Sequence, residues 1–343
     1  MTTSSPLVIG HRGASGYRPE HTAAAYELAF AQGADAVEPD VVLSKDGVPV
    51  VRHENEISGT TDVADHAEFA DRRTTKSIDG SPLTGWFTED FTWAELSTLR
   101  ARERLASLRP VSAGYDGRFG ILRLSDLLRI VDEASAGETG RRRTAVVELK
   151  HATYFSSIGL PLEEIVAAEL ADAGWTDSRE RLVVESFEKS ALTRLRALGI
   201  RARWISLIED SGAPFDEVSR LGVADAAPYA DALTDAGLAA LAGEVDGISL
   251  DKATIMPRDA DDAAPATSDV VERAHRAGLD VFTWTLRAEN AFLPAEYRIG
   301  EAAGDFGRWR DEFATLLATG IDGVFADQPD LAIAARESVG GAN

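Results

Sequence analysis

The sequence predicts an α/β fold, a (β/α)8 TIM barrel formed by one domain over residues 1–343. Short runs rich in β-branched residues alternate with amphipathic helical segments, which is the pattern of repeated β–α units around a parallel sheet. Nine such runs occur, and one of them is expected to form a hairpin, so that eight remain for a closed barrel. Barrels of this class often exceed the usual length of one domain, so the length does not require a second one.

The predicted strands are short and rich in Val, Ile, Leu and aromatic residues. They are residues 7–10, 36–43, 48–53, 144–149, 181–186, 202–208, 247–250, 280–286 and 322–326. Asp46-Gly47 lies between the second and third runs, and Asp-Gly between extended segments is a strong hairpin signal. We therefore expect 48–53 to return antiparallel to the upper part of 36–43.

Helices are predicted between these runs from the spacing of apolar residues. They are residues 22–32, 125–135, 162–173, 188–198, 268–277 and 308–319. In the third of them Leu162, Val166 and Leu170 fall on one face, and Gly174 follows as a stop signal. Each helix is expected to pack against the outside of the barrel.

Residues 54–122 break the alternation. This segment is polar and contains no clear strand–helix unit, although Thr92 and Glu95 have the spacing of a capping box. Loops of this length in a compact domain are usually functional or disordered. We expect 54–122 to be an insertion, after the hairpin of the second strand, that caps the catalytic face. The irregular stretch 287–307 is expected to play a similar part.

The composition restricts the possible partners. The net charge is −22 and the isoelectric point is about 4.7, so nucleic acid and anionic membrane surfaces would be repelled. The absence of cysteine excludes disulfides, thiolate metal sites and cysteine nucleophiles. If the substrate is a phosphate ester, a metal ion or Arg and Lys side chains must offset the acidity locally. We expect a small-molecule substrate, no nucleic acid partner, no stable membrane insertion, and a monomer or homodimer.

The first six residues are polar and show neither a signal peptide nor a membrane span. This favours a cytoplasmic location, whereas a protein from which a signal peptide had been removed would be secreted.

Reactive side chains occur at the carboxyl ends of the first three barrel strands and of the hairpin strand. They are His11, Arg12, Glu38, Asp40, His53, Glu148 and Lys150. The βα loops of a barrel open at this end, where catalytic groups lie. Each group alone has an ordinary structural interpretation, such as a hydrogen-bonded His or an ion pair between Glu148 and Lys150. Two His and three carboxylates on one rim are difficult to explain in that way together, so we interpret them as an active site.

The carboxylates point to a metal ion. Glu38 and Asp40 are two residues apart, so on a strand they face the same side. Two inward carboxylates would repel each other and would be costly to bury, and a bound cation removes both problems. Glu148, flanked by apolar residues, can supply a third oxygen. An all-oxygen site suits Ca²⁺ or Mg²⁺ and disfavours zinc.

The motifs that contain these residues resemble the signatures of a known family. They are HRGASGYRPEHT (11–22), GADAVEPDV (33–41), KDG (45–47), VVRHE (50–54), ELK (148–150), WT (284–285) and GIDGVFADQP (320–329). Together they cover essentially the whole chain and resemble the glycerophosphodiester phosphodiesterase family. The insertion is similar to that of the long-insertion bacterial type, whose members are often exported and often use Ca²⁺.

The resemblance implies a role for each matching residue. Glu38, Asp40 and Glu148 match the metal ligands. His11 and His53 match the general acid/base pair. Arg12 and Lys150 match residues that contact the substrate phosphate, and Trp284 matches a position that lines the pocket.

Three positions depart from the family pattern. His21 stands where Asn is usual, Glu54 where Asp is usual, and Gly59 where Arg is common. The change at position 21 is expected to alter the support of Glu20, and that at position 59 to alter specificity for the alcohol. None removes a metal ligand or an acid/base group.

The expected reaction is metal-dependent hydrolysis of a glycerophosphodiester to glycerol 3-phosphate and an alcohol such as choline, ethanolamine or glycerol. The nucleophile is either water or the glycerol 2-hydroxyl, which would give a cyclic phosphate. One alternative is a phospholipase D-like or lysophospholipase activity, which needs exposed apolar loops; Trp86, Phe87, Phe91 and Trp93 are candidates. Another is a non-catalytic barrel that binds a phosphodiester. The remaining His66, His151 and His275 are expected at the surface or behind the site.

Overall fold

The structure is a computed structural model that describes residues 5–137, 142–264 and 266–340. Within these ranges it has twelve strands. They are β1 (Leu7–His11), β2 (Ala36–Glu38), β3 (Asp40–Leu43), β4 (Pro49–Val51), β5 (Thr74–Ile78), β6 (Ser81–Gly85), β7 (Thr144–Leu149), β8 (Leu182–Ser186), β9 (Arg203–Ile208), β10 (Gly247–Asp251), β11 (Asp280–Leu286) and β12 (Gly323–Ala326).

Eight parallel strand positions close into a barrel. β1 pairs with β2 and β12, the strands from β12 back to β7 are neighbours in turn, and both β2 and β3 pair with β7. β4 is antiparallel to β3, with Val41 opposite Val51. The predicted (β/α)8 barrel and the hairpin on its second strand are therefore confirmed.

The second strand corrects one prediction. Residues 36–43 do not form one continuous strand, because Pro39 has no N–H group with which to continue the ladder. The register with β7 is the same on both sides of the break, since Val37 pairs with Ala145 and Asp40 pairs with Glu148. Glu38 thus ends β2, and Asp40 begins β3.

The helices surround the barrel. They are α1 (Ala23–Ala31), α2 (Trp93–Leu96), α3 (Pro110–Ala113), α4 (Leu124–Ala136), α5 (Ala152–Ser157), α6 (Leu162–Asp172), α7 (Lys189–Ala197), α8 (Phe215–Leu221), α9 (Tyr229–Ala232), α10 (Asp235–Leu241), α11 (Lys252–Ile255), α12 (Val270–Ala277), α13 (Trp309–Ala318) and α14 (Pro329–Gly340). All six predicted helices are present, as α1, α4, α6, α7, α12 and α13. Among the described helices, none is long and apolar enough to cross a membrane.

The segment 54–122 contains the β5–β6 hairpin and the short helices α2 and α3. The capping box at Thr92 and Glu95 is formed as predicted. Phe69 packs edge-on against Phe91 with ring centroids 5.1 Å apart, and the Trp86 indole N–H donates to the Phe69 carbonyl at 2.7 Å. The segment therefore has its own packed apolar side chains, although it lacks a strand–helix unit.

The barrel interior explains how the reactive residues are placed. Its apolar layer is formed by Ile9, Ala36, Val146, Val183, Ile205, Phe282 and Phe325. Side chains two residues apart on a strand point to the same side, so the next inward residue of most of these strands lies at the open end of the barrel. Those residues are His11, Glu38, Glu148, Glu185, Leu207, Trp284 and Asp327. The same strands thus supply an apolar core below it and, except for Leu207 and Trp284, polar groups above it.

Candidate active site

A cavity of about 890 Å³ opens at the carboxyl ends of the barrel strands. Its lining includes all of the predicted site residues except Asp40, which lies beneath it with 1% of its surface exposed. Asp79, from the turn of the β5–β6 hairpin, and Ser81, the first residue of β6, also line the cavity. The insertion and the barrel rim therefore share one cavity.

Glu38, Asp40 and Glu148 converge at the base of this cavity. Each offers a carboxylate oxygen, and these three oxygens all lie within 4.8 Å of one another. Burial and the charge of Asp40 raise the pKa of Glu38 well above its ordinary value, and burial raises that of Glu148 to about 8 despite the opposing charge of Lys150. Burial acts on Asp40 in the same direction, but the neighbouring His53, His21 and Arg12 hold its pKa well below the usual range.

The three carboxylates fit a divalent cation. Within the described part of the chain, Asp40 Oδ1 is buried and has no hydrogen-bond partner. An all-oxygen set of buried carboxylates matches the preference of Ca²⁺ and Mg²⁺. A cation at this position would favour the ionised forms of Glu38 and Glu148, whose pKa values are raised without it.

His21 supports one of these carboxylates from behind. Its ring is fully buried, with Nε2 2.9 Å from Asp40 Oδ2 and Nδ1 2.7 Å from the Tyr26 hydroxyl. Burial lowers the pKa of His21, so the ring is neutral at pH 7. Both contacts are hydrogen bonds if Nε2–H donates to Asp40 and the Tyr26 hydroxyl donates to Nδ1. The expectation that this His affects Glu20 was therefore incomplete, because its direct hydrogen bond is to Asp40.

His11 is held by a buried carboxylate. Its Nδ1 lies 2.6 Å from Asp327 Oδ1, and the other oxygen of Asp327 accepts hydrogen bonds from Arg109 at 2.6 Å and Arg287 at 2.8 Å. Nδ1–H therefore donates to Asp327, which leaves Nε2 as the nitrogen available for proton transfer. Burial, reinforced by the charge of Arg12, lowers the pKa of His11 to about 4.

His53 lies in the loop after β4 instead of on the strand, because β4 ends at Val51. Its side chain is 31% exposed at the cavity wall, and its Nδ1 is 3.0 Å from Glu54 Oε1. Desolvation and the positive charges of Arg12 and Lys150 lower its pKa. Both imidazoles of the predicted pair are therefore neutral at pH 7 in the absence of an anionic ligand.

Two cations lie beside the carboxylates. The Arg12 guanidinium donates to Glu20 at 3.1 Å and approaches Asp40 Oδ2 at 3.5 Å, and its backbone N–H donates to Glu38 at 2.8 Å. The Lys150 ammonium is 3.1 Å from Glu148 Oε1. Both side chains line the cavity, where they can offset the negative charge of a bound phosphate.

His151, one of the residues expected at the surface or behind the site, is half-buried and lines the cavity itself. Its Nδ1 is 2.6 Å from Asp79 Oδ2, and its Nε2 is 3.1 Å from Glu54 Oε2. Burial lowers the pKa of His151, but these two hydrogen bonds outweigh burial and raise that pKa to about 9. The charged ring thus joins the end of β7 to the insertion. His66 and His275 are at the surface, with side chains 22% and 39% exposed.

The sequence interpretation missed three residues of the site. Glu185 on β8 pairs in register with Glu148 and is 2% exposed, and burial with the charge of Glu148 raises its pKa well above the ordinary value. Its sequence signal was the same as that of Glu148, an acidic residue after two valines. Asp327 also follows apolar residues at a strand end. Arg109 lies in the insertion and had no local signal.

Comparisons with known proteins identify the family of this chain. Residues 11–331 match the model of the glycerophosphoryl diester phosphodiesterase family. The glycerophosphodiester phosphodiesterase GDPD6 of Arabidopsis thaliana is 32% identical over 341 residues, covering 95% of this chain and 85% of the plant protein.

Solved structures of related proteins share the fold. A phosphodiesterase of Oleispira antarctica, solved with the product sn-glycerol-3-phosphate, has a TM-score of 0.58 and 21% identity, with 96% of each chain covered. A glycerophosphodiester phosphodiesterase of Agrobacterium tumefaciens has a TM-score of 0.57 and 19% identity, covering 96% of this chain and 99% of that one. With a family match that extends over nearly the whole sequence, this chain belongs to the glycerophosphoryl diester phosphodiesterase family.

Proposed function

We propose that this protein hydrolyses glycerophosphodiesters to glycerol 3-phosphate and an alcohol, and that the reaction requires one divalent cation, Ca²⁺ or Mg²⁺. The observation that carries the proposal is the convergence of Glu38, Asp40 and Glu148 beneath a cavity that two imidazoles also line. Family membership supports the reaction class. The proposal also assigns the metal ligands and the proton-transfer groups.

Glu38, Asp40 and Glu148 would hold the cation. When bound, the ion acts as a Lewis acid that stabilises the negative charge developing on the phosphate oxygens. Arg12 and Lys150 add fixed positive charge to the same region. An acidic chain that binds an anionic ester needs local positive charge, and these two side chains supply it.

His11 and His53 transfer the protons. A neutral imidazole accepts the proton of the attacking hydroxyl, and a charged one protonates the leaving alcohol. Both rings are neutral at pH 7 in the free site, because burial lowers their pKa values. A bound phosphodiester anion favours protonation of the ring nearest to it, so that one ring becomes the acid while the other stays a base. Asp327 fixes the tautomer and orientation of His11.

The rival activity on lysolipids has little support in the insertion. Of its four candidate aromatic residues, Trp86, Phe87 and Phe91 have at most 8% of their surface exposed. They stabilise the packing of the segment 54–122 and offer little apolar surface to a lipid. All of the residues that match family ligands and acid/base groups are present, which argues against a non-catalytic barrel.

The test is release of glycerol 3-phosphate from glycerophosphocholine by metal-stripped protein, with Ca²⁺, Mg²⁺ or Zn²⁺ returned singly. Recovery with Ca²⁺ or Mg²⁺, and its loss in Glu148→Gln, is the expected result. Glu163→Gln is a matched control, because Glu163 is also a buried carboxyl but lies on α6 away from the cavity. No release with any ion, from glycerophosphocholine or a lysolipid, would refute the proposal in favour of a phosphodiester-binding protein.

A further inference from the structure

The cavity continues beyond Lys150 into a region with aromatic walls. Phe187 packs edge-on against Tyr229, with ring centroids 6.4 Å apart, and edge-on against Trp284, with centroids 6.1 Å apart. All three side chains line the cavity. The Lys150 ammonium lies 5.6 Å from the centroid of the Phe187 ring, so this aromatic wall begins directly beside the proposed phosphate position.

Two carboxyl groups line the same region, and neither forms an ion pair within the described residues. Glu209 has no hydrogen bond and no ion pair within the described residues, and Glu188 is 3% exposed. One oxygen of Glu188 accepts from the backbone N–H of Thr153 at 3.0 Å, whereas its Oε1 is buried with no hydrogen-bond partner. Burial and the charge of Glu209 raise the pKa of the Tyr229 phenol, which places that ring among these carboxylates.

The positive groups elsewhere on the cavity wall are already paired. Lys252 donates to Glu312 at 2.6 Å, Arg258 donates to Asp262 at 2.8 Å, and Arg287 donates to Asp327 at 2.8 Å. Glu209 and the free oxygen of Glu188 therefore have no ion-pair partner at this end of the cavity. Burial raises the pKa of Glu188 to about 7, and a bound cation would favour its ionised form. Aromatic faces and carboxylates without an ion pair together suit an organic cation, since both attract a positive charge.

We propose that Phe187, Tyr229, Glu188 and Glu209 form a subsite for the cationic headgroup of an amino alcohol such as choline, so that the enzyme prefers glycerophosphodiesters with a positively charged alcohol to those with an uncharged one. In glycerophosphocholine two methylene groups join the phosphate oxygen to the ammonium. The aromatic wall begins next to Lys150, so a linkage of two methylene groups is long enough to reach it from a phosphate bound beside Lys150. This inference rests on the proposed hydrolase activity.

The test compares two esters of the same shape and different charge. Glycerophosphocholine carries a quaternary ammonium, and the 3,3-dimethylbutyl ester of glycerol 3-phosphate carries a neutral tert-butyl group in its place. We expect kcat/KM of the wild-type protein, with Ca²⁺ or Mg²⁺ present, to favour the choline ester by about tenfold, since cation–π and carboxylate contacts each contribute. Choline is likewise expected to inhibit more strongly than 3,3-dimethylbutanol, a measurement that needs no variant.

Variants then assign the preference to residues. Tyr229→Leu is expected to reduce the ratio of the two kcat/KM values by about twofold to fivefold, because it removes one of the rings that the cation contacts. Tyr229→Phe keeps the ring and should keep the ratio. Glu209→Gln should reduce the ratio, whereas Asp210→Asn removes the same charge from the adjacent exposed position, which does not line the cavity, and should leave it as it is.

The outcomes separate this inference from the proposed function. Hydrolysis of both esters with equal kcat/KM would overturn the subsite and leave the hydrolase activity standing. A preference for choline that survives both Tyr229→Leu and Glu209→Gln would also overturn it, because the preference would then arise from other groups. No hydrolysis of either ester with any ion would overturn the proposed function and this inference with it.

Discussion

Removal of the divalent cation is expected to make the stability of the protein fall as the pH rises from about 5 to 8. Without the ion, burial raises the pKa of Glu148 to about 8 and also raises the pKa values of Glu38 and Glu185. Such carboxyls bind more protons in the folded than in the unfolded state, so their contribution to stability is lost as the pH rises from the unfolded pKa through the folded one. At 1.36 kcal/mol for each pKa unit, the rise from 4.5 means that ionised Glu148 alone costs about 5 kcal/mol above pH 8.

The assay is urea unfolding of metal-stripped protein between pH 5.5 and 8, with and without Ca²⁺ or Mg²⁺. The ion requires deprotonated ligands and favours their charged forms, so its stabilising effect should grow with pH. Glu185→Gln should stabilise the metal-free protein at pH 8, because it removes a buried charge. Glu163→Gln, on α6, should shift the free energies of the metal-free and metal-bound forms equally.

A difference in unfolding free energy between the two forms that stays constant from pH 5.5 to 8 would refute this reasoning. It would mean that these carboxyls ionise at their ordinary pKa values in the folded protein. The mutual repulsion of Glu38, Asp40 and Glu148 would then not be what the cation relieves.

Three further predictions concern the imidazoles and their anchor. His11→Ala or His53→Ala is expected to lower kcat by at least about 10²; near-normal turnover would exclude the substituted residue from proton transfer. Asp327→Asn is expected to lower kcat by at least about tenfold and to move the acidic limb of the pH–rate profile to lower pH, because the carboxylate orients His11 and raises its pKa; an unchanged profile would contradict that role. Arg109→Ala should cost about 3–5 kcal/mol in urea unfolding, since it leaves the buried carboxylate of Glu289 without an ion pair and removes one of the two guanidinium partners of Asp327; an effect as small as that of exposed Arg129→Ala, under about 1 kcal/mol, would contradict it.

The barrel and the rim residues on its strands could be predicted from the sequence because both follow from one local regularity. Side chains at every second residue of these strands point into the barrel. On most strands the apolar residue at the level of Val146 is followed, two residues later, by a polar residue at the level of Glu148. A charged residue among valines at a strand end is therefore visible without coordinates. The same rule identifies Glu185 on β8.

The contacts made by loops could not be predicted in this way. Arg109 reaches Asp327 across 218 residues of sequence, and His151 reaches Asp79 across 72. Nothing in the local pattern of either segment specifies the partner. The aromatic wall also depends on a contact between two loops. Tyr229 begins the short helix α9, which was not predicted, and it packs against Phe187 from the loop after β8. Contacts of this kind between loops become apparent only in the folded structure.

The charges around the candidate metal site explain why cation and substrate should bind in order. Four buried carboxylates lie near two buried cationic side chains. The carboxylates are those of Glu38, Asp40, Glu148 and Glu185, and the cations are Arg12 and Lys150. Glu20, which also contacts Arg12, has a second partner in Arg104 at 3.1 Å and adds little to the excess. At a pH above the raised pKa values of Glu38, Glu148 and Glu185, all four carboxylates are ionised and the set carries two surplus negative charges, which would repel a phosphodiester anion. One divalent cation cancels that surplus, so at such a pH the cation should precede the substrate.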